Sequence, residues 1–140
     1  MRGDSIIPAA PIAYEVGASK LRESSIPSLN QIKAFLDAMP DITLLRIEVH
    51  TDSDGDSAAN LQLSKMRAMS VAKELVAEGV ACKRLFPVGF GEKKPIAPND
   101  KPEEKAKNRR TEFFVATLKG KPLNNRPVDG GGESSGDPCK

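Results

Sequence analysis

With 140 residues, 39% hydrophobic and 29% charged, and a formal net charge of +2, the chain has the size and composition of one folded domain. Its longest uncharged apolar stretch, residues 5–14, is interrupted by Pro8 and Pro11 and falls well short of the ~20 residues that cross a bilayer as a helix. The even charge balance, with no Trp, one Tyr and five Phe, gives no general drive toward nucleic acid or anionic membrane and no aromatic platform for stacked bases.

Arg2 is followed by Asp4 with no sustained apolar run, so no signal peptide is expected. That leaves a cytoplasmic chain or a piece of a longer exported protein. Residues 1–11, interrupted by proline, read as an irregular lead-in. Residues 11–16 are short and apolar and close on Gly17, which suits a first strand. Leu29, Ile32, Phe35, Leu36 and Met39 then recur at helical spacing until Pro40 stops the pattern. Residues 43–50 alternate, with Leu45, Ile47 and Val49 on one side and Arg46, Glu48 and His50 on the other, as in a half-buried strand. After a polar turn, residues 61–78 read as a helix with Ala68, Val71, Ala72 and Leu75 as its core stripe and Gly79 as its stop.

Residues 84–90 form a third short strand. Residues 91–107 form a polar loop with room for one helical turn, and residues 110–118 a last strand with Phe113 and Val115 facing inward. From residue 119 the composition turns to Gly, Pro, Asn, Asp and Ser, which cannot bury enough apolar area to offset the entropy of ordering. The expected organisation is therefore a lead-in (1–11), one domain (12–118) and a flexible tail (119–140). The fold class is α/β: a two-layer sandwich with helices packed on a small mixed β-sheet, in the order βαβαβ-β. Cys82 and Cys139 are too few and too widely spaced for a disulfide framework or a metal knuckle. They read as a half-buried helix-end cysteine and a free tail cysteine, and a long-range disulfide stays open.

Asp52, Asp54 and Asp56 alternate as in a calcium loop, but Gly55 comes two places early and Leu63 stands where the bidentate glutamate is needed. No metal site and no cofactor is expected. His50 is the only histidine, at a strand end with no nucleophile motif around it, so no enzymatic activity is expected either. The basic stretch 101–110 is diluted by acids. Arg109 and Arg110 differ because they stand at the entry to the last strand, where alternation would send one to each face.

One constellation remains. Asn60 and Arg67 lie seven residues apart, about two helical turns, and share a face distinct from the apolar stripe. Asp52 can lie beside the same helix, with Arg110 flanking. Such a pair suits a zwitterion, an ammonium on Asp52 and a carboxylate on Arg67. The same spacing equally permits an internal Asp52–Arg67 ion pair.

HTDSDGDSAANLQLSKMRAMSVAKEL, VGFGEKKPIAPND and AKNRRTEF contain TD followed by glycine, N-x-x-LS-x-x-RA-x-x-V, G-x-G-E-x-x-P and NRR followed by an acid. In this ordered combination, over roughly residues 14–115, the chain resembles the OmpA-like peptidoglycan-binding domain found in OmpA, the peptidoglycan-associated lipoprotein and MotB. Val49 departs from the glycine that usually precedes the histidine.

The resemblance implies non-covalent binding of peptidoglycan through the diaminopimelate of the stem peptide. It also implies a periplasmic, outer-membrane-associated location. By position, Asp52 and Arg67 match the family's principal ligand-binding aspartate and arginine, Asn60 the asparagine of the N-x-x-LS block, and Arg110 the second arginine of NRR. Thr51 is expected to give a supporting contact. The other function expected of such a domain is an interaction module of the same fold that does not bind murein.

Overall fold

The computed structural model describes residues 4–140; Arg2, on which the signal-peptide expectation rests, lies outside them. Apolar periodicity sets the helices. Helix α1 (Ile26–Ala38) buries Leu29, Ile32 and Leu36 completely and ends one residue before Met39, which is exposed. Helix α2 (Ser57–Ala77) begins four residues before the expected start. The reason is Asp56, whose side chain accepts the Ala59 amide at 2.9 Å as an N-cap. Its other end closes as expected at Gly79: the Val80 amide donates to the Leu75 carbonyl and the Gly79 amide to the Val76 carbonyl. This paired closure needs the left-handed φ of +110° that glycine adopts without a Cβ penalty.

Strands β2 (Ile42–His50), β3 (Leu85–Gly91) and β4 (Arg110–Leu118) make the body of the sheet. Central β2 pairs parallel with β3 through the α2 crossover and antiparallel with β4. One face carries Leu45, Ile47, Val49, Phe113 and Val115 into a single core with the α1 stripe and with Ala68, Val71, Ala72 and Leu75 of α2. Each fully buried Leu or Ile contributes about 1.5–3 kcal/mol of transfer free energy. Helix α2 lies so close to β3 that a Cβ at Gly89 would sit 2.6 Å from the Lys65 backbone nitrogen. The mixed α/β sandwich is thus as expected. A further short helix, α3 (Pro102–Asn108), fills the polar loop. No helix among the described residues is long and apolar enough to cross a membrane.

Three expectations need correction. Residues 11–16 form no strand: they hold only an isolated Tyr14–Leu21 bridge, and the Ala13 amide and carbonyl both bond to the Ser25 hydroxyl. The edge strand comes from the lead-in, where β1 (Ser5–Ile6) pairs with Phe113 and Phe114 of β4.

Residues 119–140 are not a free tail. Lys119 and Gly120, both at positive φ, turn β4 into β5 (Lys121–Pro122), and β6 (Glu133–Ser134) pairs with Val88 and Gly89 of β3. Cys139 is bonded to Cys82, closing a separation of 57 residues. In the loop-entropy picture a cross-link of that span removes about 4 kcal/mol of unfolded-chain entropy, which composition alone could not supply.

The third correction concerns the polar face of β2, which is not half-exposed. Arg46, Glu48 and His50 are only 8%, 1% and 2% exposed. The C-terminal segment helps to cover them: Arg46 Nη1 donates to the Val128 carbonyl at 3.1 Å, and Gly130 stacks so close that a Cβ would lie 2.6 Å from Arg46 Nε. Gly132 sits equally close under the Phe90 ring.

Candidate functional site

Where β2 ends, the chain enters the turn holding Thr51, Asp52, Asp54 and Asp56, and each carboxylate there has its own task. Asp52 Oδ1 accepts the Asp54 amide at 3.0 Å, a local turn typical of aspartate, while Oδ2 meets Arg109 Nη1 at 2.6 Å. Asp54 pairs with Lys105 at 3.0 Å, and Asp56 caps α2. The Thr51 hydroxyl donates to the Asp52 carbonyl at 2.8 Å. Asn60 Nδ2 reaches the Asp54 carbonyl at 2.8 Å and, more weakly, the Asp52 carbonyl and Glu92 Oε1, each at 3.4 Å. Thr51 and Asn60 therefore shape the turn that presents Asp52.

Beside this turn lies a cleft of about 90 Å³ lined by Tyr14, His50, Arg67, Arg109 and Arg110 with Ile12, Ala13 and Val49. Room for several waters, or for the charged end of a small ligand, fits that volume. Tyr14, from the segment ahead of α1, donates or accepts a 2.7 Å bond with the Thr111 hydroxyl, and burial raises its phenol well above the ordinary value. The Arg67 guanidinium lies 4.7 Å from the centroid of that ring, and its Nε donates to the Ala18 carbonyl at 2.8 Å. Desolvation lowers the Arg67 pKa from its ordinary value. No carboxylate lies within ion-pair distance of Arg67 among the described residues. A half-buried cation without a counterion, with its Nη edge uncommitted, is suited to grip an anion.

Arg110 is committed differently. Nε donates to Glu112 Oε1 at 2.6 Å, and its Nη atoms donate to the Asn108 and Lys94 carbonyls at 3.2 and 3.0 Å. Behind it, His50 stacks on Phe90 with ring centroids 4.6 Å apart and places Nε2 3.1 Å from Glu48 Oε1. Burial would raise the Glu48 carboxyl, but hydrogen bonds from His50 and Arg46 outweigh it and hold it below the usual range. His50 is lowered, chiefly by burial, so the neutral ring donates its Nε2 proton to an ionised Glu48. Glu48, His50 and Glu112 could together offer a metal three ligand atoms, but Arg46 and Arg110 already neutralise the two carboxylates.

Of the residues singled out from sequence, Arg67 and Arg110 line the cleft and Asp52 borders it through Arg109, whereas Thr51 and Asn60 lie outside its lining. The internal Asp52–Arg67 pair left open by spacing does not form. Sequence reasoning missed Arg109 as the partner of Asp52. Alternation does not send Arg109 and Arg110 apart, because Arg109 terminates α3 before β4 begins and both reach the cleft.

Tyr14 and Asn108 were also missed. Asn108 is fully buried: Oδ1 accepts the Ile96 and Ala97 amides, and Nδ2 donates to the Ala97 carbonyl and to Asn99 Oδ1. Asn99 Oδ1 in turn accepts the Ser53 amide, so Asn108 ties the long loop to the acidic turn. Its place ahead of the two arginines was the available signal. Cys82, bonded to Cys139, offers no free thiol for nucleophilic chemistry.

An open mixed sheet backed by two helices, with an arginine-lined cleft at the carboxyl end of its central strand, defines an α/β domain with a cationic cleft. The chain belongs to the OmpA family, which matches residues 13–109. It is 39% identical over 109 residues to the peptidoglycan-binding protein ArfA of Mycobacterium tuberculosis, covering 78% of this chain and 33% of that one. It is 34% identical over 118 residues to the probable lipoprotein YiaD of Escherichia coli, covering 83% and 53%. The chain thus spans between a third and about half of these relatives. Among solved structures, the peptidoglycan-associated lipoprotein of Burkholderia pseudomallei is 27% identical with a TM-score of 0.67, covering 76% of this chain and 90% of that one. The cell wall anchor of the type VI secretion system of Pseudomonas aeruginosa is 26% identical, with a TM-score of 0.65, covering 75% and 74%.

Proposed function

We propose that this domain binds peptidoglycan non-covalently through the diaminopimelate end of the stem peptide and so ties a larger envelope protein to the cell wall. The observation that carries this reading is Arg67: a half-buried guanidinium with no counterion among the described residues, lining a small cleft whose border holds the Asp52–Arg109 pair. A zwitterionic end would place its carboxylate on the free edge of Arg67 and its ammonium on Asp52, releasing Arg109 toward the same carboxylate. Opposite charges at the two ends of one small group would match the site's arrangement of arginines and aspartate. The names of the relatives, a peptidoglycan-binding protein and a cell wall anchor, point the same way. A periplasmic, outer-membrane-associated setting follows from the same reading, and the cross-linked cysteines suit an oxidising compartment.

Affinity for one stem peptide is expected to be modest, since the cleft is small and open, and repeated sites on the polymer supply avidity. Titration of the labelled domain with a diaminopimelate-containing tripeptide tests the reading by NMR. Saturable shifts at Tyr14, Asp52, Arg67 and Arg109 are expected, and they should be lost in Asp52→Ala. An absence of shifts at millimolar peptide would leave an interaction module of the same fold.

A further inference from the structure

The C-terminal segment builds a second cavity, on the side of the sheet that carries Arg46. It measures about 260 Å³, near the lower end for small-molecule sites, and half of its lining residues come after residue 118. Most of it lies outside the 13–109 span shared with the family.

Three cations from three different parts of the chain face this space: Arg46 of β2, Lys94 of the loop after β3, and Arg126 of the C-terminal segment. One carboxylate, Asp4, lines it with them. Arg46 uses Nε on Glu48 and Nη1 on the Val128 carbonyl, and no partner is seen for Nη2 among the described residues. Lys94 Nζ lies 5.1 Å from the Phe90 ring centroid and forms no ion pair among the described residues. Arg126 is only loosely held, 3.9 Å from Asp4. Leu123 and Ala116 give an apolar wall, and Gly130 brings the backbone close to Arg46. Glu48 balances Arg46 and Asp4 loosely faces Arg126, so the cavity keeps the charge of Lys94 in excess, and an anion there would balance it and use the spare donors of Arg46 and Arg126.

We propose that this cavity is a second anion site, taking a compact oxyanion: the carboxylate of a sugar acid or an inorganic phosphate. The Cys82–Cys139 bond holds in place the segment that supplies Arg126 and the glycine lip, so the site belongs to the cross-linked chain. It stands independently of the stem-peptide reading, because none of the residues lining the first cleft lines this one.

The test is an amide NMR titration of the full chain at constant ionic strength with N-acetylmuramic acid, with inorganic phosphate, and with sodium chloride as the control. Saturable shifts are expected at Lys94, Arg126, Gly130 and Gly131 with at least one oxyanion. Affinity should be at least tenfold weaker in the Lys94→Ala/Arg126→Ala double variant, whose remaining amide spectrum should be unchanged. Saturation by N-acetylmuramic acid alone would assign the site to a wall saccharide, and saturation by phosphate alone to a phosphate group. Shifts that stay linear and match those of chloride, or saturation undiminished in the double variant, would overturn the proposal.

Discussion

Asp52 is held by Arg109 across 2.6 Å, which leaves Arg67, on the neighbouring helix, without a carboxylate partner among the described residues. The two arginines should therefore respond differently to substitution. Arg67→Ala removes the uncommitted cation and is expected to weaken stem-peptide binding at least tenfold, about 1.4 kcal/mol or more. Arg109→Ala removes both a secondary carboxylate contact and the competitor for Asp52, so a change of less than threefold is expected. Calorimetric titration of both variants decides it, and equal losses would contradict the assignment of Arg67 as the principal anion contact.

Asn108 makes four hydrogen bonds from a fully buried side chain. Asn108→Ala strands two amides and a carbonyl of the loop, and a loss of roughly 2–4 kcal/mol is expected from urea denaturation. Asn108→Asp keeps the acceptor for Ile96 and Ala97 but loses both donated bonds. Its second carboxylate oxygen would face the Ala97 carbonyl and Asn99 Oδ1 in a fully buried site, so its loss should be at least that of alanine.

Stability should depend on pH through the buried pair under the C-terminal segment. Glu48 is lowered from its ordinary 4.5 in the fold, so its contribution is complete above that value and is lost as pH falls through the lower folded value. His50 is also lowered, from 6.5; an unfolded histidine takes up a proton that the folded one resists. Its contribution is complete above 6.5 and declines as pH falls toward the folded value. Both shifts carry the same sign, so Tm should hold steady from neutrality up to the range where an unfolded tyrosine ionises, about 10, and fall on acidification in two stages. His50→Gln should erase the upper stage and keep the lower. An upper stage that survives in this variant would place its origin elsewhere.

The Cys82–Cys139 bond can be removed as Cys82→Ser/Cys139→Ser. A stability loss of roughly 2–4 kcal/mol is expected by chemical denaturation. The Ser135 amide, which donates to the Pro87 carbonyl at 2.9 Å beside β6, should lose its protection from hydrogen exchange. Unchanged protection there would mean that strand pairing alone holds the segment.

The helices, the three main strands and the core stripe of Ala68, Val71, Ala72 and Leu75 were legible from sequence, because each depends on spacing within a few residues. So were Arg67 as a cleft residue and the family itself, whose ordered blocks are local patterns. What the tertiary structure decided was pairing over distance. Asp52 and Arg109 lie 57 positions apart, as do Cys82 and Cys139, and neither partnership leaves a periodic trace in the chain. The same holds for the edge strand at residues 5–6 and for the cover over Arg46, Glu48 and His50. Alternation marked those three side chains as facing away from the core. Whether water or protein lay on that side depended on a glycine-rich segment that a covalent bond brings back onto the sheet.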